Sequence, residues 1–277
     1  MTQKSILITG CSSGIGYDAA RTLQTRGWRV FATCRQEKDC ERLRGEGLES
    51  FTLDYGDEAS IKAAVAQVLE RTGGTLDALF NNGAYAIPGA VEDMPRDALR
   101  AIFETNVFGY HDLTNRIIPV MRAQGHGRIV NCSSVLGLAA ARFRGAYIAS
   151  KFALEGLTDT LRLEMHDDPI QVILIEPGPI TTLFRVNARA QFEKWIDWQN
   201  SAQRTIYENE LQPRLYDDSG KPDTFELPSS AVTKKLTHAL EAKRPKPRYY
   251  VTVPTYLAGI MRRILPTRAF DWVLLKG

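Results

Sequence analysis

The chain has 277 residues, 44% hydrophobic and 24% charged, enough apolar material to bury one large core as a single domain. A formal charge of +3 is too mild for a nucleic-acid footprint, and no basic run is interleaved with aromatics. Cys11, Cys34, Cys40 and Cys132 form no C-x-x-C pair and have no histidines at ligand spacing, which argues against a metal site and a disulfide framework and fits a reducing cytoplasm.

The first apolar stretch, residues 5–9, is too brief for a signal peptide, and no run approaches the ~18 apolar residues of a membrane span, so the expected location is cytoplasmic. In chain order, β-rich runs fall at residues 5–9, 28–33, 50–53, 77–81, 128–132, 170–175 and 249–253, with helical stretches between them. That alternation predicts an α/β fold: a doubly wound, Rossmann-type parallel sheet of about seven strands. Runs such as Ile6-Leu7-Ile8 are apolar throughout, as strands covered on both faces require.

Ligands of such sheets sit outside the carboxyl ends of the strands, which singles out residues 10–16, 34–35, 54, 81–84, 133–134 and 177–182. Residues 181–228 interrupt the alternation with an aromatic-rich stretch, read as an insertion over the site. Within it Phe192, Trp195, Ile196 and Gln199 are spaced to form one face of a helix, either a pocket wall or core. The tail, residues 243–277, is basic and apolar; it either packs on the sheet edge or rests on an anionic membrane surface.

Thr9-Gly10-Cys11-Ser12-Ser13-Gly14-Ile15-Gly16 opens a helix after the first strand, the arrangement that lets backbone N–H groups hold a pyrophosphate. The same residues match G-x-S-x-G, which would make Ser12 a hydrolase nucleophile, but no HGGG-like oxyanion segment precedes the loop. At the end of the second strand an NAD enzyme places a carboxylate; here Arg35 stands, with no acid before Glu37, which favours a 2′-phosphate and hence NADP(H).

Tyr147 and Lys151, four apart at the start of a helix, share one face. With the glycine loop, Asn81-Asn82-Gly83-Ala84, Asn106, Ser134 and Pro177-Gly178 in order, the sequence resembles the short-chain dehydrogenase/reductase family, nearest in flavour to retinol and 17β-hydroxysteroid dehydrogenases and bacterial aldehyde reductases. The resemblance implies hydride exchange between nicotinamide and a carbonyl or alcohol. Tyr147 would be the acid/base, Ser134 would bond the substrate oxygen, Lys151 would hold the nicotinamide ribose, and Asn106 would hold a relay water. Gly10, Ser12, Ser13, Gly14, Ile15, Gly16, Arg35, Asp54, Asn81, Gly83, Pro177, Gly178 and Thr181 (or Thr182) would contact the cofactor.

Two features depart from the family pattern or need a choice. Gly83-Ala84 exchanges the last two residues of N-N-A-G, and of the adjacent Ser133 and Ser134 the family spacing before the tyrosine selects Ser134. One lysine charge at about 4 Å would nearly suffice to bring a tyrosine from pKa ~10 to neutrality. The uncharged segment 135–141 suggests an apolar carbonyl or alcohol as substrate. A catalytically silent NADP(H)-binding protein is the rival reading. By analogy, pairing through helices at residues 99–124 and 147–166 would give a homodimer or homotetramer.

Overall fold

Ile6, Leu7 and Ile8 are all fully buried, so the first strand can meet water on neither face and is covered by helices on both. The computed structural model describes residues 3–276. Its first half runs β1 (Ser5–Ile8), α1 (Gly14–Thr25), β2 (Arg29–Cys34), α2 (Glu37–Gly45), β3 (Glu49–Thr52), α3 (Glu58–Thr72) and β4 (Ala78–Asn81). Next come α4 (Arg96–Phe103), continued by a π turn (Glu104–Phe108) into α5 (Gly109–Gln124), then β5 (Gly127–Cys132), α6 (Gly145–Glu164) and β6 (Ile170–Glu176). The remainder is α7 (Phe184–Trp195), α8 (Arg204–Ile206), a second π turn (Tyr207–Leu211), α9 (Gln212–Leu215), α10 (Ser229–Glu241), β7 (Arg248–Tyr250), α11 (Val253–Ile264) and α12 (Thr267–Lys276).

The strands pair in parallel in the order β3-β2-β1-β4-β5-β6-β7, a seven-stranded doubly wound Rossmann-type sheet. Alternate side chains feed two layers. Ile6, Ile8, Val30, Ala32 and Phe80 pack with α1, α2 and α10, whereas Leu7, Phe31, Leu79, Ile129 and Val172 pack with α3, α5 and α6. A third apolar cluster, including Ile87, Ala146, Phe192, Ile196 and Tyr207, lies over the carboxyl ends and forms the lid.

The expected aromatic face from Phe192 to Gln199 does not form. Helix α7 stops at Trp195, and Ile196 turns to φ −106° and ψ 115°, where its side chain packs on Gly89. Gln199 falls in a separate short turn. Phe192 is fully buried against Tyr207, so the stripe is lid core, not pocket wall.

In the tail, α11 closes on the sheet edge: Gly259 lets it approach the Tyr250 ring, and Arg262 donates to the Leu138 carbonyl at 2.9 Å. Its outer face still exposes Tyr256, Leu257, Ile260 and Ile264. No described helix is long and apolar enough to cross a membrane.

At the β7 edge, Arg248 pairs with Glu155, Asp159 and Glu176 at once. Glu176 is fully buried, and burial, followed by the neighbouring Glu155, lifts its carboxyl to about 8 against the pull of Arg248. A carboxyl with a raised folded-state pKa contributes most below its unfolded pKa, and that contribution is lost as pH climbs through about 8. Glu176→Gln keeps an acceptor for Arg248 and removes this titration. Its unfolding midpoint in urea is expected to gain on the wild type between about pH 5 and about pH 9; a difference constant with pH would show that Glu176 is already ionised.

Candidate active site

Because β1 and β4 are neighbours, with Ile8 opposite Phe80, the loops that follow them meet at the point where the strand order reverses. Gly10 has φ +68°, and a Cβ there would lie 2.6 Å from the Gly83 Cα. A Cβ on Gly16 would lie 2.3 Å from the Gly10 carbonyl oxygen, and one on Gly14 (φ +59°) would lie 2.9 Å from Thr182 Cγ2. Only glycine fits such a cradle.

Ser13, the N-cap of α1, makes no capping bond through its side chain, so the first N–H groups of the helix are left for an anion. Ile15 packs partly into the core behind them. Ser12 is exposed and its carbonyl accepts from Arg42. The described bonds of His111, His126 and His238 go to Asn115, Asp77, Gln124 and Tyr249, so none of them serves Ser12 as the base a hydrolase needs.

The Thr9 hydroxyl accepts from the backbone N–H of Asn82 at 2.9 Å and of Gly83 at 3.2 Å, and Asn82 Nδ2 donates to the Thr9 carbonyl at 3.0 Å. These bonds clamp the two loops together and give Thr9 and Asn82 roles that sequence reasoning missed. A Cβ on Gly83 would meet its neighbours at 3.4 Å, an ordinary contact, so the turn itself does not demand the exchanged order Gly83-Ala84.

Asn81, expected at the cofactor, is fully buried with its side chain turned away from the cradle. Its Oδ1 accepts from Tyr55 at 2.6 Å, and its Nδ2 donates to Thr114 at 3.0 Å and to Asn131, its register partner on β5, at 2.9 Å. It supports the loop from behind.

Ser134 and Tyr147 come from the end of β5 and the first turn of α6. Ser133 faces the other way, beside Gly137 and Glu155, while Ser134 lies beside the Tyr147 phenol. Lys151, one turn further along, is 1% exposed; its Nζ donates to the Cys132 carbonyl at 2.8 Å and lies 5.6 Å from the Tyr147 ring centre. Burial pulls this ammonium down to about 8. Burial, and then the Cys132 thiol, pushes the Tyr147 hydroxyl well above its ordinary value, with only Ser134 opposing. In the protein alone desolvation thus works against the lowering expected of Lys151.

Asn106 sits in the π turn. Both its amide hydrogens are used, on the Tyr85 carbonyl (2.9 Å) and Ser150 Oγ (3.1 Å), and its Oδ1 accepts from the Tyr85 N–H at 3.2 Å. Ser150, not foreseen from the sequence, in turn donates to the Tyr147 carbonyl. Asn106 thereby braces α6 and the loop after β4, and its amide has no hydrogen left for a relay water.

Arg35 is exposed and has no described ion pair, whereas Glu37, its carboxylate rival, is held by Arg44. Asp54 receives the Gly56 N–H at 2.9 Å. The charges of Arg35 and Asp54 both reach the Tyr85 phenol and act on it in opposite senses. Thr181 is turned outward, donating to Glu226 at 2.6 Å; Thr182 is the residue that touches the cradle at Gly14. The Pro177 carbonyl accepts from Val135, and Gly178 packs tightly against Thr252, which fixes the β6 loop beside Ser134.

The short chain dehydrogenase profile matches residues 4–193. The chain belongs to the short-chain dehydrogenase/reductase family. It is 38% identical over 273 residues to the uncharacterized oxidoreductase YbbO of Escherichia coli (98% of this chain, 94% of that one) and 34% identical over 281 residues to rat 17-beta-hydroxysteroid dehydrogenase type 6 (98% and 87%). Among solved structures it resembles a Burkholderia phymatum family member in complex with NAD (TM-score 0.78, 25% identity, 99% and 95% covered). It also resembles an actinorhodin polyketide ketoreductase with NADPH (TM-score 0.71, 28% identity, 90% and 95% covered). As a member of this family, the protein is an oxidoreductase acting between CH–OH and C=O groups.

Proposed function

We propose that the protein uses NADP(H) to interconvert an apolar aldehyde or ketone with its alcohol. The observation that carries the reading is the convergence of Ser134, Tyr147 and buried Lys151 beside a glycine cradle that admits no Cβ. Gly10, Gly14 and Gly16 with the first turn of α1 suit a pyrophosphate, Arg35 suits a 2′-phosphate, and Asp54, after β3, suits an adenine. The nicotinamide supplies or takes the hydride. Ser134 bonds the substrate oxygen and Tyr147, whose burial favours the protonated phenol, exchanges its proton with that oxygen. Lys151 serves the ribose, and Asn106 with Ser150 fixes the helix that carries Tyr147 and Lys151.

The apolar substrate class is supported by Phe184, whose ring meets the Tyr147 ring edge-on at 5.4 Å, and by Ile87, Leu136 and Ala146 in the lid cluster. Exposed Phe108 on the α4–α5 segment and exposed Leu157 on α6 support pairing of two copies through these helices. The apolar outer face of α11, flanked by Arg262 and Arg263, supports a peripheral contact with anionic lipid.

Tyr147→Phe is expected to lower kcat to below a few per cent while NADPH still binds, read by single-turnover kinetics and cofactor fluorescence; near-normal turnover would remove Tyr147 as acid/base. Wild type is expected to prefer NADPH, and Arg35→Asp to shift the ratio of kcat/KM toward NADH by about ten- to hundredfold, the worth of one charge-assisted bond. Equal use of both cofactors by the wild type would overturn that assignment. Co-sedimentation with phosphatidylserine vesicles is expected at low salt and to be lost at high salt; no binding at low salt would confine α11 to protein contacts.

A further inference from the structure

The uncharged segment after Ser134 offers nothing to an anion, but the roof of the site is different. Arg144, the N-cap residue before α6 and three before Tyr147, has an Nη1 sealed from solvent with no hydrogen-bond partner. A guanidinium left in that state is costly and marks a place where an acceptor belongs. The charges that face it are Arg214 on α9, Arg185 on the first turn of α7, and Asp223. Asp223 is already shared: one oxygen takes Arg185 Nη2 at 2.7 Å and lies 3.8 Å from Arg214 Nη2. Two arginines thus share one carboxylate, and Arg144 lies within the field of all three groups. Burial, reinforced by Arg214 and Arg185, pulls Arg144 down to about 10.

The backbone is strained on both sides of this cluster. Phe143 (φ +60°) and Phe225 (φ +62°) are the left-handed non-glycine residues of the described chain; one directly precedes Arg144 and the other lies two residues after Asp223. Phe143 is held there by the Gly89 N–H on its carbonyl and by the Tyr207 ring, so the lid core enforces the turn that introduces Arg144. The cluster also adjoins the chemistry: Phe184, which touches the Tyr147 ring, is the chain neighbour of Arg185.

We propose that Arg144, with Arg185 and Arg214 around it, anchors a terminal carboxylate of an otherwise apolar carbonyl substrate. The inference rests on the oxidoreductase reading for the identity of the reacting end. One unspent guanidinium fork matches one carboxylate in bidentate fashion, and the other two arginines, held by Asp223, supply field without needing to move. The substrate is then two-ended, with its carbonyl at Tyr147, an apolar chain between, and its anion under α7 and α9.

The test compares nonanal with its omega-carboxy analogue of equal chain length, together with binding of nonanoate and nonanol to the enzyme with NADPH by calorimetry. Wild type is expected to favour the carboxylated aldehyde in kcat/KM, and nonanoate over nonanol in affinity, by about ten- to hundredfold. The effect is expected mainly in KM and to shrink as salt rises. Arg144→Gln is expected to bring both ratios near unity, and Arg214→Gln, at an exposed position suited to a stable variant, to reduce them part-way. Turnover without preference, or equal binding of acid and alcohol by the wild type, would overturn the anchor. Selective nonanoate binding with neither aldehyde reduced would uphold the anchor and refute the carbonyl-reducing reading.

Discussion

A buried ammonium holding a strand-end carbonyl is the contact on which this site depends. Lys151 donates from α6 to the Cys132 oxygen at the end of β5, with almost no solvent to share the charge. A charge so placed is tolerated because it is hydrogen-bonded and lies near the faces of Tyr110 and Tyr147, while burial works against it and lowers its pKa. It fixes the height of α6 over the sheet, and with it the position of Tyr147 one turn earlier beside Ser134.

The rest of the polar interior maintains that placement. Thr9, Tyr55, Asn81, Asn131 and Thr158 form a continuous line of hydrogen bonds from the glycine loop, across β4 and β5, to α6. Each member is buried, so loss of any one leaves its neighbours unsatisfied in a low-dielectric interior. Asn106 and Ser150 do the same from the other side of α6, at a π turn where the helix is widened to let the amide reach Tyr85. The cradle and the Tyr147–Lys151 pair are two ends of one frame.

The lid is built differently. Its core of Phe192, Ile196, Tyr207 and Leu211 is apolar, yet its underside carries arginines with too few partners, and two strained residues hold that underside in place. The frame below and the charged roof above divide the labour: the frame decides which bond is made or broken, the roof which molecule brings that bond to it.

The amino-acid sequence by itself determined the strands and their order along the chain, because strands covered on both faces must be apolar throughout and strand-to-helix turns of this kind need glycine. It likewise determined that Tyr147 and Lys151 share one helix face and that Ser134 follows a strand end, placements that follow from helix and strand geometry. Only the tertiary structure decided matters that turn on who stands opposite whom. Asn81 and Thr181 read as cofactor contacts in the linear motif, but the register with Asn131 and the reach of Glu226 take their side chains elsewhere, and Thr182 touches the cradle instead. The helical spacing of Phe192 to Gln199 was real as a pattern, but Ile196 gains more by packing on Gly89 than by continuing the helix. The meeting of Arg144, Arg185 and Arg214 had no signature at all, since long-range contacts between a helix start and two lid segments leave no period in the sequence.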